Sequence, residues 1–231
     1  MSAGRRWGSP AVKRARAATL RAPPYLKRAV PAAAHTRLHL RGEAFSGNVF
    51  PLDKVVLLVS AVMSLVVHFF PPASAVPSAT SPAAHDLVAG SQFPVPCLDF
   101  DATSDEQVFF YFRAVRYRGG SISVEIDWYA DTASSGNVVW EAALACISPD
   151  VDVQDVESKA FAAVSFVQDA HLGGIPQRLH RAALQINDND GMAADDWCVL
   201  RLRRDADGTH AADDLPGDAS VVAVALGYDS V

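Results

Sequence analysis

The chain has 231 residues, half of them hydrophobic, and a formal net charge of -6, which leaves room for one or two domains and for a real apolar core. The charge is split: residues 1–54 carry 11 Lys and Arg against 2 acids (+9), and the rest carries 9 basic and 24 acidic residues (-15). An acidic body of this kind excludes a nucleic-acid groove, which needs a basic footprint, and suits solubility or cation binding.

Residues 1–54 mix Arg, Ala and Pro, with Pro10, Pro23, Pro24, Pro31 and Pro51 breaking any long helix. They read as a disordered basic arm, a transit-like segment or a spurious extension. Residues 55–75 hold the apolar run VVLLVSAVMSLVVHFF, shorter than the roughly 20 residues of a spanning helix. Lys54 before it and Ala73-Ser74-Ala75 after it make a signal-like or anchoring pattern, with the run itself as one short helix. Any membrane contact is expected through residues 55–70 alone. Residues 76–92 are Ser, Thr, Pro, Ala and Gly and read as a linker.

From residue 93 the pattern changes to period two, the mark of half-buried strands. Gln107–Val115 is aromatic and β-branched. In Ser121–Ala130, Ile122, Val124, Ile126 and Trp128 share one face. In Asn137–Cys146, Val138, Trp140, Ala142, Leu144 and Cys146 do so, and these two strands are expected to neighbour each other as a hairpin. Val153–Ala163 suggests one helical turn. Strands follow at Val164–Gln168, Leu179–Asn187, Trp197–Arg204 and Ser220–Tyr228. Seven or eight short strands between turns predict an all-β antiparallel sandwich, a jelly roll, over residues 93–231.

The ordered series Leu98-Asp99-Phe100-Asp101, Thr103-Ser104-Asp105-Glu106, Tyr117-Arg118-Gly119-Gly120, the block from Trp128 and Ala130 to Val139-Trp140, Asp155–Ala160, Leu200-Arg201-Leu202-Arg203-Arg204-Asp205 and Asp213-Asp214-Leu215-Pro216-Gly217-Asp218-Ala219 resembles a β-sandwich domain common in bacteriophage virion proteins, near tail-fibre, spike or capsid-decoration genes. The resemblance implies a structural or host-attachment role in a virion and a homo-oligomer, a trimer first of all. It carries no catalytic residues.

The side chains offer several candidate sites. If Val108, Phe110 and Phe112 face the core, Phe109 and Tyr111 face away, so a subunit contact is expected there, or a platform for a cell-surface carbohydrate that uses Phe109, Tyr111 or Tyr129. Asn187-Asp188-Asn189-Asp190-Gly191 and Asp205-Ala206-Asp207-Gly208 read as plain turns or as calcium loops, with Asp188, Asp190, Asp205 and Asp207 as the oxygen ligands. Asp99 and Asp101 flank Phe100 and are the one carboxylate pair a hydrolase could use. No G-x-S-x-G, HExxH or phosphate loop is present, and His171, His180 and His210 read as surface residues. Arg201, Arg203 and Arg204 beside Asp205 and Asp207 read as a salt-bridged rim. Cys97, Cys146 and Cys198 form no CxxC or Cys/His cluster, so a zinc site is not expected and buried free thiols are. The chain is therefore expected to be non-enzymatic, located in a virion or outside the cell, with an exported carbohydrate-binding module, with or without calcium, as the alternative to a virion part.

Overall fold

Period-two alternation places the apolar half of each strand between two sheets. The computed structural model describes residues 64–230. The expectations for residues 1–54 and for the start of the apolar run lie outside the described residues. Eleven strands occur among those described: β1 (Ser64–Phe70), β2 (Val76–Pro77), β3 (Ala84–Val88), β4 (Val95–Phe100), β5 (Glu106–Arg113), β6 (Tyr117–Ala130), β7 (Gly136–Ile147), β8 (Ser165–His171), β9 (His180–Ile186), β10 (Trp197–Arg204) and β11 (Ala219–Ser230). Sheet A runs β3-β4-β11-β6-β9, with β1 also on β11; sheet B runs β2-β5-β10-β7-β8. All of these strand pairs are antiparallel. The fold is a β-sandwich.

The alternation read from the sequence sets the core. Ile122, Val124, Ile126 and Trp128 from sheet A meet Trp140, Leu144, Leu200 and Leu202 from sheet B, all buried. Trp128 and Trp140 meet edge-on at 6.2 Å, and Phe100 packs against Trp140 at 5.1 Å. Such edge-to-face aromatic pairs add to the stabilisation from area burial. The predicted hairpin of β6 and β7 does not form. The 131–135 connection carries the chain from one sheet to the other, and the two tryptophan-bearing faces oppose each other across the core.

Three further expectations change. Ser64–Phe70 is a strand, not the end of a helix, and pairs with Val224–Ser230 of β11. An unbroken apolar run suits either geometry; here Phe70 turns inward and stacks on Phe110 at 5.1 Å. The expected linker holds β2 and β3, both at sheet edges. Edge strands need backbone pairing on one side only, so Ser, Pro and Ala suffice. Over residues 153–163 a hydrogen-bonded turn forms, with the Ser158 amide donating to the Asp155 carbonyl at 3.2 Å, but no helix.

Arg204 is also unlike its expectation. It is fully buried, and its Nε and Nη2 donate to the two oxygens of Asp213 at 2.9 and 2.8 Å. Nη1 donates to the Phe100 and Gly217 carbonyls, and Nη2 also to that of Leu215. One guanidinium thus ties β10 of sheet B to β4 of sheet A and to the loop before β11. That loop crosses the start of β7 so closely that a Cβ at Gly136 would lie 2.7 Å from Leu215 Cα. All three cysteines are buried and free. Cys146 and Cys198 are direct cross-strand partners, and the Cys146 thiol, with burial, pushes the Cys198 thiol up.

Candidate functional site: an aromatic face on sheet B

β5 puts Val108, Phe110 and Phe112 into the core, which sends Phe109 and Tyr111 to the outer face of sheet B. Beside them, β10 contributes Trp197, Val199 and Arg201, with Tyr111 opposite Val199 and Phe109 opposite Arg201. Tyr111 is 47% exposed and its ring lies 5.7 Å from that of Trp197. Phe161, from the segment linking β7 to β8, stacks on Phe109 at 5.8 Å with 18° between the planes. The Arg201 guanidinium sits 4.9 Å over the Phe161 ring, a cation–π contact. Phe109, Tyr111, Phe161, Trp197 and Val199, together with Ala145, Glu157 and Lys159, line a hollow of about 190 Å³. Phe161 and Trp197 were not singled out in the sequence; Trp197 was visible as the aromatic start of a strand, whereas Phe161 sits in a stretch with no period.

Asp188 and Asp190 hold this face together. Asp190 Oδ2 accepts the Cys146 amide at 2.6 Å and pairs with Lys159 Nζ at 2.8 Å. Asp188 accepts the amides of Asp190 and Ala163. The segment carrying Phe161 is therefore pinned at Lys159 and Ala163. Neither aspartate joins a group of three converging metal ligands among the described residues.

Tyr129 is not part of that surface. It lies on the outer side of sheet A, mostly buried, and its hydroxyl donates to Cys97 Sγ at 3.8 Å. Burial first, and then the bond to Cys97, pushes its pKa up to about 12. It floors a separate, largely apolar hollow of about 610 Å³ with Val88, Phe93, Val95, Leu179 and Val222. Phe109 and Tyr111 thus lie on the outer face of sheet B, and Tyr129 on that of sheet A.

Asp205 and Asp207 do come together. Asp105, Asp205 and Asp207 form one group with carboxylate oxygens within 4.8 Å of one another, and Glu141, Asp205 and His210 form a second that shares Asp205. Asp99 and Asp101 are each engaged locally. Asp99 accepts the Ser220 hydroxyl at 2.7 Å, and burial pushes its carboxyl up. Asp101 lies past the end of β4 and accepts the amide and hydroxyl of Thr103. His171 is buried rather than on the surface, with its ring 4.8 Å from that of His180. Among the described residues no helix is long and apolar enough to cross a membrane.

No family model and no curated protein matches the chain. Among solved structures it is similar to a carbohydrate-binding module specific for non-crystalline cellulose (10% identity, TM-score 0.37, covering 68% of this chain and 88% of that one). It is similar to a family 11 carbohydrate-binding module from Clostridium thermocellum in complex with a mixed-linked tetrasaccharide (8% identity, TM-score 0.35, 70% and 87%). It is also similar to a carbohydrate esterase from the Shiga toxin-encoding bacteriophage phi24B (11% identity, TM-score 0.32, 71% and 90%).

Proposed function

We propose that the chain is a non-enzymatic, extracellular binding module that takes a surface glycan on the outer face of sheet B. The observation that carries this reading is the set Phe109, Tyr111, Phe161 and Trp197, held on one sheet face around a small open hollow. A sugar ring has an apolar face of C–H groups and a polar edge of hydroxyls. Aromatic rings receive the first, and charged groups at the rim bond the second. Glu157 and Lys159 stand at that rim, and the Asp190 contact holds Lys159 in place before any ligand arrives, which lowers the ordering cost of binding. The full chain should show discrete hits on a glycan array. Trp197→Ala and Tyr111→Ala should each weaken the best hit tenfold or more in proteins that circular dichroism shows to be folded, and Leu179→Ala, just before β9 of sheet A, should leave it intact. An array without hits, or binding indifferent to both aromatic variants, overturns the proposal.

A second reading, a self-associating domain of virion type, is favoured by a different feature. Leu65, Val67 and Phe69 form an exposed apolar stripe along β1, the kind of surface that marks an interface. Light scattering on the full chain and on Phe69→Asp tests it: an oligomer reduced to monomer by the substitution supports it, and a monomeric full chain rejects it.

A further inference from the structure

We propose that Glu141, Asp205 and His210 form a binding site for a divalent cation of the zinc class. Glu141 lies on the outer face of sheet B in β7, yet is only 1% exposed. Its Oε2 accepts Arg203 Nε at 2.5 Å, while its Oε1 is buried with no hydrogen-bond partner. A buried carboxylate oxygen left in that state is costly, and native structures rarely tolerate one without a partner or an ion. His210 Nδ1 lies directly against Oε1, within ion-pair range, without a hydrogen bond between them. The same nitrogen is 3.4 Å from Asp205 Oδ2. One nitrogen and two carboxylate oxygens therefore converge on one point, with all three atoms within 4.8 Å of one another.

The surrounding groups hold these ligands in place. Asp205 is fully buried; its Oδ1 accepts the Thr209 amide at 3.0 Å and its Oδ2 the His210 amide at 2.8 Å. Arg203 orients Glu141, and the Phe166 ring lies 5.2 Å from the imidazole. Such outer partners fix ligand geometry in metal sites. The charge balance agrees. Arg203 pairs with both Glu141 and Asp105 beside Asp205 and Asp207, while Arg204 is committed to Asp213.

The choice between metals follows from the donors. A mixed imidazole and carboxylate set suits zinc, with a fourth position left for water or a ligand group. The all-oxygen group of Asp105, Asp205 and Asp207 would suit calcium, but its outer members already have partners. Asp207 accepts the Thr209 amide and hydroxyl; Asp105 accepts the Asp207 amide and pairs with Arg203. The buried oxygen without a hydrogen bond belongs to Glu141 and faces His210, so the cation belongs with the histidine. The site contains no cysteine, which is why the spacing of the three thiols gave no sign of it. Glu141 is four residues along β7 from Ala145 of the aromatic hollow, about 13 Å at strand spacing, so the proposal does not depend on glycan binding.

The test is calorimetric titration of the untagged full chain, stripped with EDTA, against zinc chloride and separately against calcium chloride. One equivalent of zinc should bind, with a rise in thermal midpoint. Affinity should fall tenfold or more in His210→Ala, whose side chain is partly exposed, and in Glu141→Gln, both checked for folding by circular dichroism. Absence of zinc uptake overturns the proposal, as does zinc uptake unchanged in a folded His210→Ala. Calcium uptake that survives His210→Ala, without zinc uptake, also overturns it and assigns the ion to the group of three aspartates.

Discussion

Trp128 and Trp140 meet at the centre of the core with equal burial, but their indole N–H groups differ. Trp128 Nε1 donates to Asp169 Oδ2 at 2.8 Å, whereas Trp140 Nε1 is buried without a partner. Replacing either by Phe removes similar volume, so the cavity cost is shared. Trp128→Phe additionally loses a bond to a charged acceptor, and Trp140→Phe removes an unmet donor. Trp128→Phe should therefore be the more destabilising, by about 1–2 kcal/mol, as read from urea unfolding midpoints. Equal losses would mean that the Trp128 bond contributes nothing. That both rings are buried was legible from parity alone, because each falls in step with Val, Ile or Leu at every second position. Parity also placed Arg204: Cys198, Leu200 and Leu202 point inward, and the next residue in step is Arg204. Reading it by charge rather than by period made it a surface residue. Glu141 is a similar case, a carboxylate inside the apolar run VVWEAALAC, whose partner His210 lies in a distant loop that no local pattern connects to it.

At the level of the strand, legibility depended on contrast between the two faces. β6 alternates cleanly and was placed to within a few residues. β1 does not alternate in hydrophobicity, since Leu65, Val67 and Phe69 are as apolar as Val66 and Phe70, and it read as a continuous run. β2 and β3 are edge strands of two and five residues, mostly exposed and too short to show a period. The pairing register of β1 shows what the double apolarity does. Phe70 enters the core while Phe69, opposite Ala225, points outward. A charge at Phe69 should leave the core intact, since nothing buried is altered, and surface substitutions of this kind usually shift stability by under about 0.5 kcal/mol. It should nevertheless abolish any association through the stripe, because an unpaired carboxylate buried in an apolar contact is strongly disfavoured. Phe69→Asp thus separates the two roles of one strand: a reduced molar mass in light scattering, with an unfolding midpoint equal to that of the wild type at dilutions where it is monomeric, is the outcome expected if β1 is a subunit contact. A lowered midpoint at unchanged mass would assign the outer face of β1 to folding instead.

Over the whole molecule, strand count and inward faces fix two sheets but not which strands neighbour each other. Seven or eight alternating segments are compatible with many strand orders, and the 131–135 crossing is decided by how the sheets close, not by its own residues. The same closure brings His180 of sheet A beside His171 of sheet B, their rings 4.8 Å apart and both next to Trp128, with both Nε2 atoms buried and unpartnered. Burial, and then the neighbouring His171, hold His180 below the ordinary imidazole value of 6.5, and burial lowers His68 as well. The unfolded chain therefore takes up these protons at a higher pH than the folded one, so stability falls as pH drops below about 6.5 and levels off once the depressed folded values are passed. Asp99 and Glu106 are shifted the opposite way, upward from carboxylate values, so their effect has the opposite sign and belongs to more acidic pH. The expected result is a thermal midpoint that declines from pH 7.5 to pH 5.5. The decline should be shallower in His180→Gln, which keeps a polar side chain of similar length and cannot take up the proton. A wild-type midpoint flat over that range would show that burial between the two sheets does not hold His180 neutral.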